Sequence, residues 1–520
     1  MDRLKRFFIN GLLMTAVTLA IRYVSVSFNI YITNRIGAVA MGLFTLISSV
    51  YGFALTLATS GISLATTKLV SEALGALEEK ERSATVKAIM RKSIAFSFVV
   101  SFTVSVFLFL FSGIIGENVL KDVRTVSSLK LLSYTLVPIA VSSSISGYFI
   151  AIRKVHKNAV VQVLGQAIKI FSSVYLLGFV FAEDVESACL AIIWGGTIAE
   201  LISFTVHLIS YIIDQKRNRL RENSLNTVAN TEITKKLIPF TLPISFSAYV
   251  RSALVTVEHL LIPWGLEKSG SNRDMSLAAY GTLHSIVFPF VLFPSAISSS
   301  FAGLLVPEIS ESAAARDMAR IERIIVRVIK TVLIYSVGVA GVMICLANEF
   351  GNVFFSEDSA VAYIILIAPL VPIMYLDTSV DSILKGLGHQ FYCMIINIVD
   401  ALFSVILVWI LLPKYGIIGY VITVYFTELV NATLSITKLI CVTNVKLKII
   451  DLVAKPIFAI ILATASIRFV LSAGGIFASS IFEIIIHILL VSLIYFFCLI
   501  VFRAIKLKEI KRSVVNFFKA

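Results

Sequence analysis

Hydrophobic residues in this chain come in blocks. From residue 7 onward, apolar runs of about 20–28 residues alternate with short polar or basic stretches. Each run is long enough to cross a ~30 Å hydrocarbon core as a helix. Fourteen spans are predicted: 7–33, 40–67, 93–115, 127–151, 158–181, 187–213, 237–264, 277–305, 325–348, 360–384, 391–412, 416–439, 452–472 and 477–502. The N-terminal stretch MDRLKRFFINGLL starts like a signal peptide. The apolar run continues too far for one, and no small-residue cleavage site closes it, so a retained first helix is expected.

Composition agrees with this pattern: 58% of the 520 residues are hydrophobic, 15% are charged and the mean hydropathy is +0.93. A soluble domain has no means of hiding that much apolar surface. The five cysteines stand singly inside apolar runs, without disulfide or zinc spacing, and read as small packing residues. The expected fold class is an all-α polytopic membrane protein of about fourteen transmembrane helices.

The basic residues set the orientation. Of the 45 Lys and Arg, 34 fall in the terminal segments and alternate loops on the N-terminal side, seven on the other side and four inside spans. The positive-inside rule places both termini in the cytoplasm. The net charge of +14 then lines the cytoplasmic face against anionic membrane lipids and calls for no nucleic acid.

Ordered internal matches suggest two halves. YTLVPIAVSSSISG in the fourth span aligns with APLVPIMYLDTSVDS in the tenth, pairing Pro138 with Pro372. Glu72 pairs with Glu311, and Glu200 with Glu428. The implied organisation is an N-terminal six-helix lobe (1–213), a basic cytoplasmic linker (214–236), a C-terminal six-helix lobe (237–442), and two extra helices with a basic tail (443–520). Six spans per lobe make a parallel repeat, a plan suited to alternating access around a midplane site.

Charges inside the spans are the candidate chemistry. On the first helix Thr15, Thr18, Arg22, Ser25 and Asn29 recur at spacings of three and four and share one face. On the seventh, Thr241, Ser245, Ser252, Thr256 and His259 share a face, with Arg251 and Glu258 beside it. The functional reading is a cationic cavity for an anionic, phosphate-bearing substrate, using Arg22, Ser25, Asn29, Arg251, Ser252 and Glu258. The plainer reading is that the arginines pair with buried carboxylates and hold helices together. Acids concentrate late in the chain: Asp377, Asp381, Asp400 and Glu428, with Asn397 nearby, are candidates for coupling to Na⁺ or H⁺. Asp381 and Lys385 are spaced to satisfy each other. Lys169, Glu200 and Arg468 are further span charges with no partner evident from sequence, and the span histidines read as packing residues. No Walker A or G-x-S-x-G motif is present, and the glycines of SILKGLGHQ follow a membrane helix rather than a strand. No enzyme activity, metal or cofactor is expected.

Four strings, TSGISLATTKLVSEALG (59–75), RSALVTVEHLLIPWGL (251–266), SILKGLGHQ (382–390) and PKYGIIGYVI (413–422), resemble the stage V sporulation protein B family of polysaccharide transporters. That family lies within the multidrug/oligosaccharidyl-lipid/polysaccharide exporter superfamily. The resemblance implies a two-lobed, fourteen-helix flippase of lipid-linked saccharides, serving cell-wall or spore-cortex peptidoglycan biosynthesis. It also implies that Arg22 and Arg251 hold the pyrophosphate. Related lipid II flippases carry a second arginine further along the first helix, where this chain has Phe28 and Asn29. Their cation site falls where Asn397 and Asp400 lie.

The resulting expectation is an alternating-access flippase moving an undecaprenyl-pyrophosphate-linked saccharide, with lipid II first in line, from the cytoplasmic to the outer leaflet. Two alternatives stand beside it. One is a Na⁺- or H⁺-coupled multidrug exporter of the same fold. The other is a non-transporting scaffold that recruits cell-wall synthases.

Overall fold

The structure, a computed structural model, describes residues 2–76, 79–180, 184–219, 230–355, 358–445, 450–474 and 480–504. Within these, side chains are described except at 2–18, 75–76, 79–83, 217–219, 230–244, 300–304, 307, 358, 450–451 and 470–474. Residues 220–229 of the 214–236 linker and the tail beyond 504 therefore lie outside the described residues.

Every regular element among the described residues is helical. The first nine are α1 (Asp2–Thr59), α2 (Ile62–Ala76), α3 (Glu79–Ile114), α4 (Val126–Ser133), α5 (Leu136–Ala151), α6 (Val155–Leu177), α7 (Val185–Arg219), α8 (Asn230–Lys268) and α9 (Arg273–Gly281). The rest are α10 (Phe288–Leu292), α11 (Ser295–Ala314), α12 (Met318–Cys345), α13 (Ala347–Phe354), α14 (Asp358–Ile367), α15 (Val371–Gly386), α16 (Gln390–Tyr415), α17 (Ile417–Thr443), α18 (Lys455–Gly474) and α19 (Ile481–Val501).

Among the described residues eleven helices are long and apolar enough to cross a membrane, or twelve if the bent pair Val123–Ser133 and Leu136–Ala151 is one span. Two facts connect this number with the fourteen expected spans. One stretch, Leu19–Leu74, holds both the first and second predicted spans. The seventh span coincides with α8, whose side chains are only partly described. The first two spans read as one helix because α1 runs on through Gly37, whose φ of 81° and ψ of 163° break the helical path. Only glycine takes such angles without steric cost.

Local sequence explains where several elements begin and bend. Asp317 starts α12 by accepting the Arg320 amide at 2.9 Å. Ser480 and Glu483 form a reciprocal capping box at the start of α19. The eighth span is broken: α9 passes through a π-helical turn (Thr282–Val287) into α10 and α11, with Pro289 and Pro294 in the interrupted stretch. α12 lays Ile321, Ile325 and Ile329 against the core while Arg323 and Arg327 stay exposed.

The chain divides into two compact units. One comprises 1–34, 265–272 and 279–520; the other comprises 35–264 and 273–278. The six-helix division read from the sequence groups the helices differently at two places: 1–34 clusters with the later helices, and 237–264 with the earlier ones. In the unit built on 35–264, α2, α3 and α7 surround α5, and Val70, Met90, Ile145 and Phe149 form its centre. α6 lies along α7 through small residues. A β-carbon on Gly195 would come within 2.2 Å of Ser173 Oγ and 2.7 Å of its amide nitrogen. In the other unit α11, α12, α16 and α17 pack around α15. α18 and α19 cover α12 through Val337, Ile460, Val491 and Tyr495.

Candidate functional site

Arg22 is half-buried on the first segment of α1, and its charge reaches Tyr375 on α15 in the same unit. Tyr375 donates to the Val291 carbonyl at 2.8 Å, and next to Arg22 the Tyr23 ring lies 5.9 Å from that of Phe293. The expected stripe continues with Ser25, which bonds back to the Ile21 carbonyl at 2.8 Å, and with half-buried Asn29. Thr33, one turn beyond, donates to the Asn29 carbonyl. The side chains of Thr15 and Thr18 lie outside the described residues.

The polar face of α8 packs against the second segment of α1. Ser245 donates to the Ser60 carbonyl at 2.8 Å, Tyr249 to Leu57 at 3.2 Å and Thr256 to Ser49 at 3.1 Å. Ser252 bonds to Thr56 Oγ1 at 3.2 Å. This is a helix-packing seam of the kind that hydroxyls form in apolar surroundings. Arg251, one position from Ser252, points off the seam and is exposed, while Glu258 and His259 are half-buried. The Thr241 side chain lies outside the described residues. Arg22 and Arg251 belong to different units. Among the described residues neither makes an ion pair.

The late acids are brought together. Asp377 on α15, Asp400 on α16 and Glu428 on α17 lie within reach of one another's charges, and Asp381 adds to the field at Asp377. Asn431 donates to Asp377 Oδ2 at 3.2 Å, whereas Asp377 Oδ1 is buried without a hydrogen bond. The fully buried Ser435 hydroxyl, itself without a hydrogen bond among the described residues, lies near the same carboxylate. Sequence reasoning missed Ser435, whose signal was its position one turn beyond Asn431. Asp381 pairs with Lys385 at 3.2 Å. Asn397 turns back on its own helix, donating to the Cys393 carbonyl at 2.7 Å. Among the described residues no three His, Cys, Asp or Glu side chains converge as metal ligands.

The remaining span charges find partners that the sequence did not show. Lys169 and Glu200 act on each other across α6 and α7. Arg468 donates to the Cys345 carbonyl at 2.6 Å. His284 meets the Tyr420 hydroxyl at 3.1 Å among aromatic rings, and His207 stacks on Phe149.

Residues 8–313 match the family described as polysaccharide biosynthesis protein, and residues 269–410 match the MatE family. Stage V sporulation protein B of Bacillus subtilis (strain 168) is 24% identical over 517 residues, covering 98% of each chain. Among solved structures, the inward closed conformation of the lipid II flippase MurJ superposes with a TM-score of 0.69 at 14% identity, covering 95% of this chain and 99% of that one. The inward-facing conformation of a multidrug resistance MATE family transporter of the MOP superfamily superposes with a TM-score of 0.62 at 12% identity, covering 83% and 100%. The long helices, the polar residues inside them and these matches identify a multi-span membrane protein with the MOP-superfamily fold, and the chain belongs to the polysaccharide biosynthesis protein family.

Proposed function

We propose that this protein is an alternating-access flippase. It moves an undecaprenyl-pyrophosphate-linked saccharide, with lipid II as the leading candidate, from the cytoplasmic to the outer leaflet of a bacterial plasma membrane. Both termini face the cytoplasm on this reading. Residues 1–213 and 237–442 are its repeated halves, joined by the 214–236 linker and followed by the two-helix extension of 443–520.

One observation carries the reading: Arg22 and Arg251 sit in apolar helices and make no ion pair among the described residues. Each costs about 2.5–3.5 kcal/mol to place at mid-membrane. Of the span acids, Asp381 pairs with Lys385, and Glu200 lies in the field of Lys169. A substrate that brings its own negative charge offsets that cost when it binds. A pyrophosphate head does so, and its polyprenyl tail stays in lipid. Ser25 and Asn29 near Arg22, and Ser252 (once released from Thr56) and Glu258 near Arg251, are the proposed further substrate contacts, and the Asp377, Asp400 and Glu428 group supplies coupling to Na⁺ or H⁺.

The test is outward movement of lipid-linked precursor in bacteria depleted of their own flippase. Wild type restores it, and Arg22→Ala and Arg251→Ala, at equal membrane abundance, do not. Rescue that survives both substitutions discards the arginine site. The MatE match over 269–410 favours a second reading, an ion-coupled exporter of small organic cations. It is selected if wild type fails to rescue yet lowers accumulation of a cationic dye, an effect lost in Asp400→Asn.

A further inference from the structure

α3 changes character along its length. Its first turns carry Lys80, Arg82, Lys87, Arg91 and Lys92, and from Ile94 onward it is apolar. The change falls beside a cleft of about 510 Å³ between α3 and α7, lined by Lys87, Arg91, Ile94, Phe98, Val99 and Tyr211, with Ala95. Both helices pack on α5. The face of α3 that meets α5 carries Val86, Ile89 and Met90. The cleft face follows a separate line, 87, 91, 94 and 98, at helical spacings of four, three and four.

Two features give the cleft a polarity. At one end are two cations, Lys87 half-buried and Arg91 exposed, with no ion pair among the described residues. At the other end Phe98 and Val99 are 49% and 62% exposed. Twelve helical residues separate Lys87 from Val99, about 18 Å along the axis at 1.5 Å per residue. One leaflet's share of a ~30 Å hydrocarbon core is about 15 Å. The charged mouth and apolar floor therefore match one lipid of one leaflet, headgroup to chain end. The nearest carboxylate on α7, Asp214, does not compete for the cations. It accepts from Tyr148 at 2.8 Å and is paired with Lys154 and Lys157. Tyr211 is held by Gln215 at 2.9 Å and closes the far wall with its ring.

We infer that this cleft is a binding site for an anionic glycerophospholipid of the basic, inner side of the membrane, its phosphate on Lys87 and Arg91 and one acyl chain along Ile94, Phe98 and Val99. Basic pockets between membrane helices recognise anionic headgroups in this manner. The inference is independent of which molecule the protein transports. It concerns a resident lipid of the surrounding bilayer.

The full-length protein, in nanodiscs of phosphatidylglycerol or of phosphatidylcholine, is transferred to the gas phase and its retained lipids are counted by native mass spectrometry. Wild type retains one more phosphatidylglycerol than the K87Q/R91Q double variant, and no extra phosphatidylcholine. Each charge removed weakens phosphatidylglycerol binding about fivefold, and the pair about 25-fold. K216Q, an exposed cation outside the cleft, changes nothing. Equal retention by wild type and the double variant overturns the site. So does equal retention of the two lipids. Tighter binding of a polyprenyl phosphate, with the same dependence on Lys87 and Arg91, assigns the cleft to a transported lipid and overturns the inference as well. If the double variant does not fold, F98W provides a second readout. Acyl-brominated phosphatidylglycerol quenches its added fluorescence more than the phosphatidylcholine analogue does, and equal quenching refutes the site.

Discussion

Asp214 is 3% exposed at the end of α7, and three groups converge on it. The Tyr148 hydroxyl donates at 2.8 Å, Lys154 makes a close ion pair and Lys157 lies at 3.5 Å. Lys157 also sits 4.6 Å above the Phe149 ring. The cluster fastens the α5–α6 connection to α7. Asp214→Asn keeps the shape and removes the charge. Breaking a fully buried pair costs about 3–5 kcal/mol. The lysine side chains here are 38% and 24% exposed and can rehydrate, so the expected loss is about 1.5–2.5 kcal/mol. Asp214→Ala adds the cost of an orphaned hydroxyl on Tyr148, itself only 2% exposed, bringing the total to about 3–4 kcal/mol. Tyr148→Phe removes that orphan. The double variant should therefore recover about 1–2 kcal/mol of the sum of the singles. Reversible unfolding in mixed detergent micelles, followed by circular dichroism, measures all four corners of the cycle. A coupling below about 0.5 kcal/mol, or an Asp214→Asn variant as stable as wild type, refutes the account.

Three further outcomes are expected. Gly195→Ala forces α6 and α7 apart at Ser173 and lowers unfolding stability by about 1–3 kcal/mol in the same assay. Gly37→Ala must either hold φ near 81° or straighten α1, costing about 1–2 kcal/mol; an unchanged unfolding midpoint counts against the kink as a required feature. At the start of α7 the Ser187 hydroxyl and amide hold the Asp184 carboxyl below its usual 3.8. A depressed acid stabilises the fold above its unfolded value and loses that contribution as pH falls through the folded one. Ser187→Ala should therefore raise the Asp184 titration seen by NMR and make the start of α7 fray at a higher pH.

The spans were legible because lipid imposes a single rule on helix length and composition, and that rule is written in runs of apolar residues. The Asp381–Lys385 pair was legible for a similar reason, since both partners sit on one helix at a fixed spacing. Contacts between helices were not. Lys169 and Glu200 each looked unaccompanied because their neighbour lies on another helix. The hydroxyl stripe of α8 was visible as a face, but nothing in its spacing told whether that face met a cavity or a second helix; it meets α1. The segregation of 1–34 from the rest of α1 turns on the backbone angles of one glycine, which local sequence does not report.

The seam between α8 and α1 has a mechanical consequence. Three of its donors, Ser245, Tyr249 and Thr256, end on backbone carbonyls of α1 or of Ser60 just past its end, acceptors that do not depend on which side chains the segment carries. When such a contact breaks, a serine or threonine hydroxyl turns to the carbonyl one turn back on its own helix, as Ser25 and Thr33 do. The hydroxyls of Ser245 and Thr256 are then not stranded in the apolar phase, and the next carbonyl on the same face of the rod lies one turn, about 5.4 Å, further along. An interface of interlocked leucines would have to unmesh before it moved. This one is held by hydroxyls, and its serine and threonine contacts can be released one at a time, each donor re-satisfied on its own helix.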